Sequence, residues 1–189
     1  TITGDTLKKR QIGGTIMGQI QTVDYYLNGK IQYLFNTAST MYLVDRNFED
    51  VAAYPINLPV KASNGVKMVY YADAKKHRFF FGGTDGNFYG YTKEGSELSG
   101  WFPKTGTGIV KLQMQYFTAG NKDYLLVVSN TGVVQAFARD GSNRFDPVET
   151  GATFNQPFKV ETSGSGFNLT NTTGGKTISI DKDGNLSVN

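Results

Sequence analysis

The sequence predicts an all-β protein built from repeated units of short antiparallel strands. Glycine is abundant at 23 residues, and the chain has 11 Tyr and 13 Phe. Apolar residues show no sustained period of 3.6, so helix is expected to be scarce. A turn–strand–turn pattern, clearest at residues 82–95, also occurs at residues 36–48, 129–141 and 171–184.

The second turn of each copy shows that the pattern is a repeat. It falls at Gly4, Phe48, Gly95, Gly141 and Gly184, with spacings of 44, 47, 46 and 43 residues. A period of about 42–47 residues with four short strands is typical of a β-propeller blade. We therefore predict about four blades of four antiparallel strands each.

We predict a single domain over residues 1–189, with blade-like units at 15–59, 60–106, 107–150 and 151–189. Residues 1–14 are predicted to be the outer strand of a preceding or closing blade, because Gly4 occupies the turn before such a strand. Two arrangements fit. Residues 7–12 complete the last blade of a closed four-bladed ring, or the chain is the C-terminal part of a larger propeller.

In the first unit, Asn28-Gly29 is a two-residue hairpin signal, since Asn-Gly accepts positive φ. The predicted strands of this unit are 20–26, 31–35, 41–44 and 51–54.

In the second unit, the apolar run 78–81 is typical of a strand buried on both faces. The fourth strand of the third unit is weak. The predicted strands of the later units are 67–72, 78–81, 88–91 and 98–102; 109–117, 124–128, 133–138 and 144–145; and 158–161, 167–170, 177–180 and 186–188.

Three prolines follow the predicted fourth strands of their units. Pro55, Pro103 and Pro147 each follow such a strand. Proline has no N–H to donate to a ladder, so it belongs on an outer edge, where the fourth strand of a blade lies. This spacing favours blades over a generic sandwich.

An aromatic pair closes three predicted inner strands: Tyr25-Tyr26, Tyr70-Tyr71 and Tyr116-Phe117. Adjacent residues on a strand point to opposite faces, and both faces of an inner blade are covered. We therefore predict both rings of each pair in the core. The alternative is an exposed tyrosine rim that binds a sugar or a protein.

Residues 85–91 and 94–103 resemble blades of bacterial β-propellers of the quinoprotein-like and envelope types. The resemblance implies a propeller fold and an exported location, periplasmic, cell-surface or extracellular. It implies no activity, because no residue matches the pyrroloquinoline quinone pocket of the classical enzymes. The Trp-Asp dipeptide of WD repeats is also missing, since Phe102 follows Trp101.

Composition excludes several classes. The net charge of +3 is too small to indicate nucleic-acid binding, and the chain has no cysteine for disulfides or thiolate sites. It has no run of about 18 apolar residues, so no membrane span is predicted. The only basic run, Lys8-Lys9-Arg10, is predicted to be a charged exposed strand edge. A start at Thr1 indicates a processed or trimmed form.

Two motifs have residue types that occur in functional sites. His77, the only histidine, lies among Lys75, Lys76 and Arg78 and is predicted to be a solvated loop residue. Residues 181–185 resemble the start of a calcium loop, but no later carboxylate closes it. A hairpin turn is therefore predicted there.

Two further groups resemble a phosphate-binding loop and paired catalytic carboxylates. The glycine-rich residues 82–86 precede a strand rather than a helix, which predicts a turn and not a phosphate cradle. Glu49-Asp50 and the pair Glu94 and Glu97 are predicted to be solvated surface charges.

The sequence therefore predicts no catalytic, cofactor-binding or metal-ligating residue and leaves the ligand-binding residues open. The predicted function is a non-enzymatic binding or scaffolding module of a bacterial cell-envelope or secreted protein, recognising protein or glycan. One alternative is part of a propeller enzyme, a hydrolase, lyase or quinoprotein relative, whose catalytic residues lie outside this chain. Another is a purely structural assembly unit, including a homodimer that completes a larger propeller.

Overall fold

The structure, a computed structural model, describes residues 8–189. These residues form strands and loops without a helix. The strands are β1 (Met17–Val23), β2 (Gln32–Asn36), β3 (Thr40–Val44), β4 (Ile56–Asn57), β5 (Lys67–Tyr71), β6 (Lys76–Gly82), β7 (Phe88–Thr92), β8 (Gln115–Ala119), β9 (Lys122–Val128), β10 (Val133–Phe137), β11 (Val148–Glu149), β12 (Lys159–Ser163), β13 (Gly166–Thr173), β14 (Lys176–Asp181) and β15 (Leu186–Val188).

The strands form four antiparallel sheets that follow one another along the chain. The first sheet is β1–β4, the second β5–β7, the third β8–β11 and the fourth β12–β15, each with its strands in sequence order. This meander of about four strands per unit confirms the predicted all-β, propeller-like fold. Within every sheet the loops after the first and third strands lie at the same end, which we call the upper rim.

The outer strands differ from the prediction in position. Pro55 and Pro147 come directly before β4 and β11, whereas the sequence placed them after the fourth strands. Residues 51–54 form a turn instead, with the Tyr54 N–H donating to the Val51 carbonyl at 3.1 Å. Because proline lacks an N–H, it is equally suited to the residue that leads into an edge strand.

The second sheet has three strands, because residues 98–102 do not form the predicted fourth one. Backbone hydrogen bonds link the segment to Gly90 of β7, whose N–H donates to the Trp101 carbonyl at 2.8 Å and whose carbonyl accepts the Leu98 N–H at 2.9 Å. Isolated bridges at Tyr91–Glu97 and Phe88–Lys104 flank it, without a continuous ladder. The Trp101 N–H donates to the Leu98 carbonyl at 2.9 Å, and this turn interrupts the ladder. Trp101 itself is fully buried beside Phe80, with ring centroids 4.8 Å apart.

The core lies in three layers between neighbouring sheets. Phe79 and Phe81 of β6 face the first sheet, while Phe80 between them faces the third. In the same way, Leu125 faces the second sheet and Leu126 the fourth. The predicted burial of run 78–81 on both faces is confirmed for its three phenylalanines, while Arg78 is half-buried. Each inner sheet shares an apolar layer with both neighbours.

Two amide side chains, the buried Asn36 and the half-buried Gln115, join the sheets as well. Asn36 is fully buried, and its Oδ1 accepts the Val66 N–H at 2.7 Å. Gln115 Nε2 donates to the Phe158 carbonyl at 2.8 Å, and its Oε1 accepts the Phe158 N–H at 3.0 Å. Each amide therefore satisfies backbone groups of the linker or strand that begins the following sheet.

The first and fourth sheets, the two ends of the row of four sheets, differ in their outer faces. On the outer face of the first sheet, Phe35 and Tyr42 stack at 5.2 Å and pack against Ile12. The outer face of the fourth sheet carries Thr170 and Ser179, half-buried and polar. Within residues 8–189, no hydrophobic cluster joins the first sheet to the fourth.

Candidate functional site

A groove of about 600 Å³ opens at the upper rim of the first sheet. It lies between the β1–β2 loop and the β3–β4 loop. Its lining combines apolar, aromatic and basic side chains from these loops and from the start of β2. The lining residues are Tyr26, Gly29, Lys30, Ile31, Gln32, Tyr33, Asp45, Arg46 and Asn47.

The side chain of Asp24, which lies in the β1–β2 loop itself, stabilises that loop. Asp24 accepts the backbone N–H groups of Asn28 at 3.0 Å and Gly29 at 2.8 Å. These bonds, that to Gly29 foremost, lower the pKa of the Asp24 carboxyl. The loop runs from residue 24 to residue 31 and is therefore longer than the predicted two-residue Asn-Gly hairpin. Within it, Leu27 also takes a positive φ, of 54°.

The opposite wall is built in the same way. Asp45 accepts the backbone N–H groups of Asn47 at 2.7 Å and Glu49 at 2.9 Å. The bond to Glu49 is the main reason that the pKa of the Asp45 carboxyl is lowered. The lowered pKa keeps Asp45 ionised, so this wall adds one negative charge to the groove beside the positive charges of Lys30 and Arg46.

The groove presents apolar side chains beside unpaired cations. Tyr26 is 57% exposed and Ile31 is 42% exposed. Tyr26 stands edge-on against the buried Tyr25, with centroids 4.8 Å apart. Among residues 8–189, neither Lys30 nor Arg46 takes part in an ion pair. The site therefore offers apolar contact area flanked by positive charge.

In each of the first two aromatic pairs, the prediction of a core position is correct for one ring and wrong for the other. Tyr25 and Tyr71 are buried, whereas Tyr26 is exposed in a loop beyond the end of β1 and Tyr70 is 37% exposed. Both rings of the third pair, Tyr116-Phe117, are half-buried. The signal that could have separated Tyr26 from Tyr25 is its proximity to Asn28-Gly29, which extends the loop.

The prediction for His77 is wrong. It lies on β6, is 3% exposed and packs on the Tyr70 ring at 4.6 Å. Its Nδ1 atom is buried without a hydrogen-bond partner among the described residues. Burial, assisted by the nearby Lys93, lowers the pKa of the imidazole. His77 is buried because side chains alternate between the two faces of β6, and the neighbouring charged residues in the sequence do not prevent this.

The predicted turn at residues 181–185 is confirmed. Asp181 Oδ1 accepts the backbone N–H groups of Asp183 and Asn185, both at 2.9 Å. The Asp181 carboxylate therefore stabilises the turn between β14 and β15. Among residues 8–189, no three His, Cys, Asp or Glu side chains are grouped as metal ligands.

Residues 82–86 likewise form the predicted turn, in which the Gly86 N–H donates to the Gly83 carbonyl at 3.1 Å. Glu94 and Glu97 are exposed, as predicted, and so is Glu49. Asp50 is exposed as well, and it forms a surface ion pair with Arg10 at 2.8 Å.

The basic run is not on a strand edge, because residues 8–12 form no strand. Arg10 donates to the Phe48 carbonyl at 2.8 Å and to both Asp50 oxygens. Lys8 Nζ donates to the Asn47 carbonyl at 3.3 Å. These bonds hold the segment against the β3–β4 loop, next to the groove.

Comparison with known proteins supports the fold. No protein-family model matches the sequence, and no curated protein matches it significantly. The chain is similar to BBS1N, solved in complex with ARL6DN, with a TM-score of 0.65 and 14% identity over 92% of this chain. It is also similar to the Neurospora crassa Pan2 WD40 domain, with a TM-score of 0.54 and 10% identity over 88% of this chain.

The chain spans 57% of the BBS1N chain and 48% of the Pan2 chain, about half the length of these structures. At this level of identity the likeness concerns the fold, which is of the β-propeller type. No helix within residues 8–189 is long and apolar enough to cross a membrane.

Proposed function

We propose that this chain is a non-enzymatic protein-binding module that recognises an acidic segment of a partner protein in the groove of the first sheet. The observation that carries the proposal is the exposure of Tyr26 and Ile31 beside the unpaired Lys30 and Arg46. An exposed aromatic ring gives a partner a large, rigid contact area.

The charges decide which partner fits. Lys30 and Arg46 flank the apolar surface, and their two positive charges outnumber the single carboxylate of the lining, that of Asp45. A segment with an aliphatic or aromatic residue between carboxylates would complement both features, because opposite charges at the rim raise the association rate and fix the register. One of the similar structures, BBS1N, was solved with a protein partner, ARL6DN.

Selection from a random peptide library against the whole chain tests the proposal. We expect the selected peptides to combine Asp or Glu with an aliphatic or aromatic residue. The Arg46→Glu variant should bind them about tenfold more weakly, the effect of losing about 1.4 kcal/mol at a contact residue. Lys176→Glu is the matched control, since this exposed lysine lies at the opposite rim of the fourth sheet.

Backbone amide shifts in NMR spectra locate the binding. Changes confined to residues 24–33 and 45–47 support the groove. Peptides that bind with the same affinity to Arg46→Glu, or binding of a glycan array in place of any peptide, would contradict the proposal. The envelope or secreted location stays a prediction from the resemblance in the sequence.

A further inference from the structure

A second cavity, of about 360 Å³, lies at the upper rim between the third and fourth sheets. Four separate loops or strand ends form it. Its lining is mainly polar and includes three cationic side chains. The lining residues are Ala119, Asn121, Lys122, Tyr124, Asn143, Arg144, Ser165, Lys182 and Asp183.

Two contacts fix the walls of this cavity. The Gly120 N–H donates to the Gly164 carbonyl at 2.8 Å, which joins the β8–β9 turn to the β12–β13 turn. On the other side, Gly184 lies so close to Phe145 that a Cβ atom would come within 3.1 Å of its side chain. The four walls are thus held in place before any ligand enters.

Arg144 is oriented within the cavity. Its Nε donates to the Asp123 carbonyl at 2.8 Å, and its guanidinium lies 5.1 Å from the centre of the Tyr124 ring. No hydrogen bond or ion pair among the described residues uses its two terminal nitrogens. A guanidinium held in this way presents the planar pair of donors that matches an oxyanion.

The lining of the cavity carries three cationic side chains and one carboxylate, that of Asp183, and the nearby Asp140 carboxylate interacts with Arg144 from outside the lining. Lys122 and Arg144 are in no ion pair among residues 8–189, and Lys182 pairs with Asp183 at 2.6 Å. The carboxylate of Asp123 points away from the cavity, where it pairs with Arg139 and accepts the Tyr116 hydroxyl. Asn121, Asn143 and Ser165 add neutral hydrogen-bonding groups to the lining.

We propose that this cavity binds a phosphate monoester or inorganic phosphate, with the terminal nitrogens of Arg144 and the Lys122 ammonium as its principal donors. The inference does not depend on the groove of the first sheet. Its volume accommodates a phosphate group together with part of the side chain that bears it, and Ser165 and Asn143 lie within the same lining.

Isothermal titration of the whole chain tests the proposal, with inorganic phosphate and with N-acetyl-phosphoserine amide as the two probes. Sodium chloride of equal ionic strength serves as the blank. We expect saturable binding that falls about tenfold in Arg144→Gln and in Lys122→Gln, a loss of about 1.4 kcal/mol, because each variant removes a charge-assisted hydrogen bond to the anion. Lys176→Gln is the matched control and should bind like the parent.

The two probes distinguish the sources of the ligand. Tighter binding of the phosphoserine compound identifies a phosphorylated side chain of a partner, and equal binding identifies free phosphate. Lys122 is exposed at the start of β9, so its variant should fold even where loss of the Arg144 contacts to Tyr124 prevents folding. Absence of saturable binding to both probes, or binding unaffected in Lys122→Gln, would overturn the proposal.

Discussion

Replacing Asn36 with alanine should weaken the junction between the first and second sheets. Asn36 is fully buried at the end of β2. Its Oδ1 accepts the Val66 N–H at 2.7 Å, and its Nδ2 donates to the carbonyls of Thr37 at 3.0 Å and Asn64 at 3.2 Å. The amide therefore holds the linker that enters the second sheet.

The magnitude follows from the groups that lose their partners. The Val66 N–H is in a residue only 1% exposed, and leaving it unsatisfied costs about 1–3 kcal/mol. Loss of the longer bond to the Asn64 carbonyl adds about 1 kcal/mol. The free energy of unfolding should fall by about 2–4 kcal/mol, a large part of the 5–15 kcal/mol typical of a domain.

Urea denaturation of the parent and variant measures this difference. We expect a lower midpoint with an unchanged slope, because the surface exposed on unfolding stays the same. Asn155→Ala is the matched control, since Asn155 is exposed and should change the stability by less than about 0.5 kcal/mol. A loss for Asn36→Ala no larger than that of the control would refute the view that buried amides hold the sheets together.

Three further predictions concern stability and assembly. Burial lowers the pKa of His77 in the folded chain, so below pH about 6.5 the unfolded chain binds a proton on this imidazole more readily than the folded chain does. The free energy of unfolding should therefore be highest above pH about 6.5 and fall as the pH decreases below it. His77→Phe should remove that part of the acid loss in urea titrations at pH 7.5 and 5.5, and an unchanged pH dependence would contradict this. Gly90→Ala should cost at least about 1–3 kcal/mol, because its Cβ would lie 2.8 Å from the Trp101 side chain, whereas Gly13→Ala, with no atom within 4 Å, should cost little. Equal midpoints for these two variants would contradict the packing. Light scattering should give a monomer at all concentrations tested, and a mass that rises with concentration would contradict this.

The repeated unit and its alternating burial could be predicted from the sequence because both are local. In run 78–81, three consecutive phenylalanines indicate a strand covered on both faces, and the structure places them in two different layers. The turns at residues 82–86 and 181–185 were equally predictable, since Gly86 and Gly184 take positive φ values of 82° and 84°.

Features that depend on contacts outside a residue's own strand or loop could not be predicted in this way. His77 sits among charged residues in sequence, but its strand position places it against Tyr70. Asn36 reads as a turn residue, and only the proximity of Val66 explains its burial. The groove has the same origin, because Ile31 and Arg46 are 15 positions apart in sequence and meet only where two loops share a rim.

The contrast between the two ends of the row bears on assembly through the sheet faces. A second copy that docked on the first sheet would have to displace Ile12 from Tyr42 and break the ion pair of Arg10 with Asp50. The outer face of the fourth sheet offers Thr170 and Ser179, which gain little from burial without hydrogen-bond partners. Among residues 8–189, neither outer face therefore provides an open apolar surface for association, and the exposed Leu186 and Val188 lie on the edge strand β15. The exposed Tyr26 and Ile31 lie on the rim instead, which favours recognition through the loops over a homodimer that completes a larger propeller.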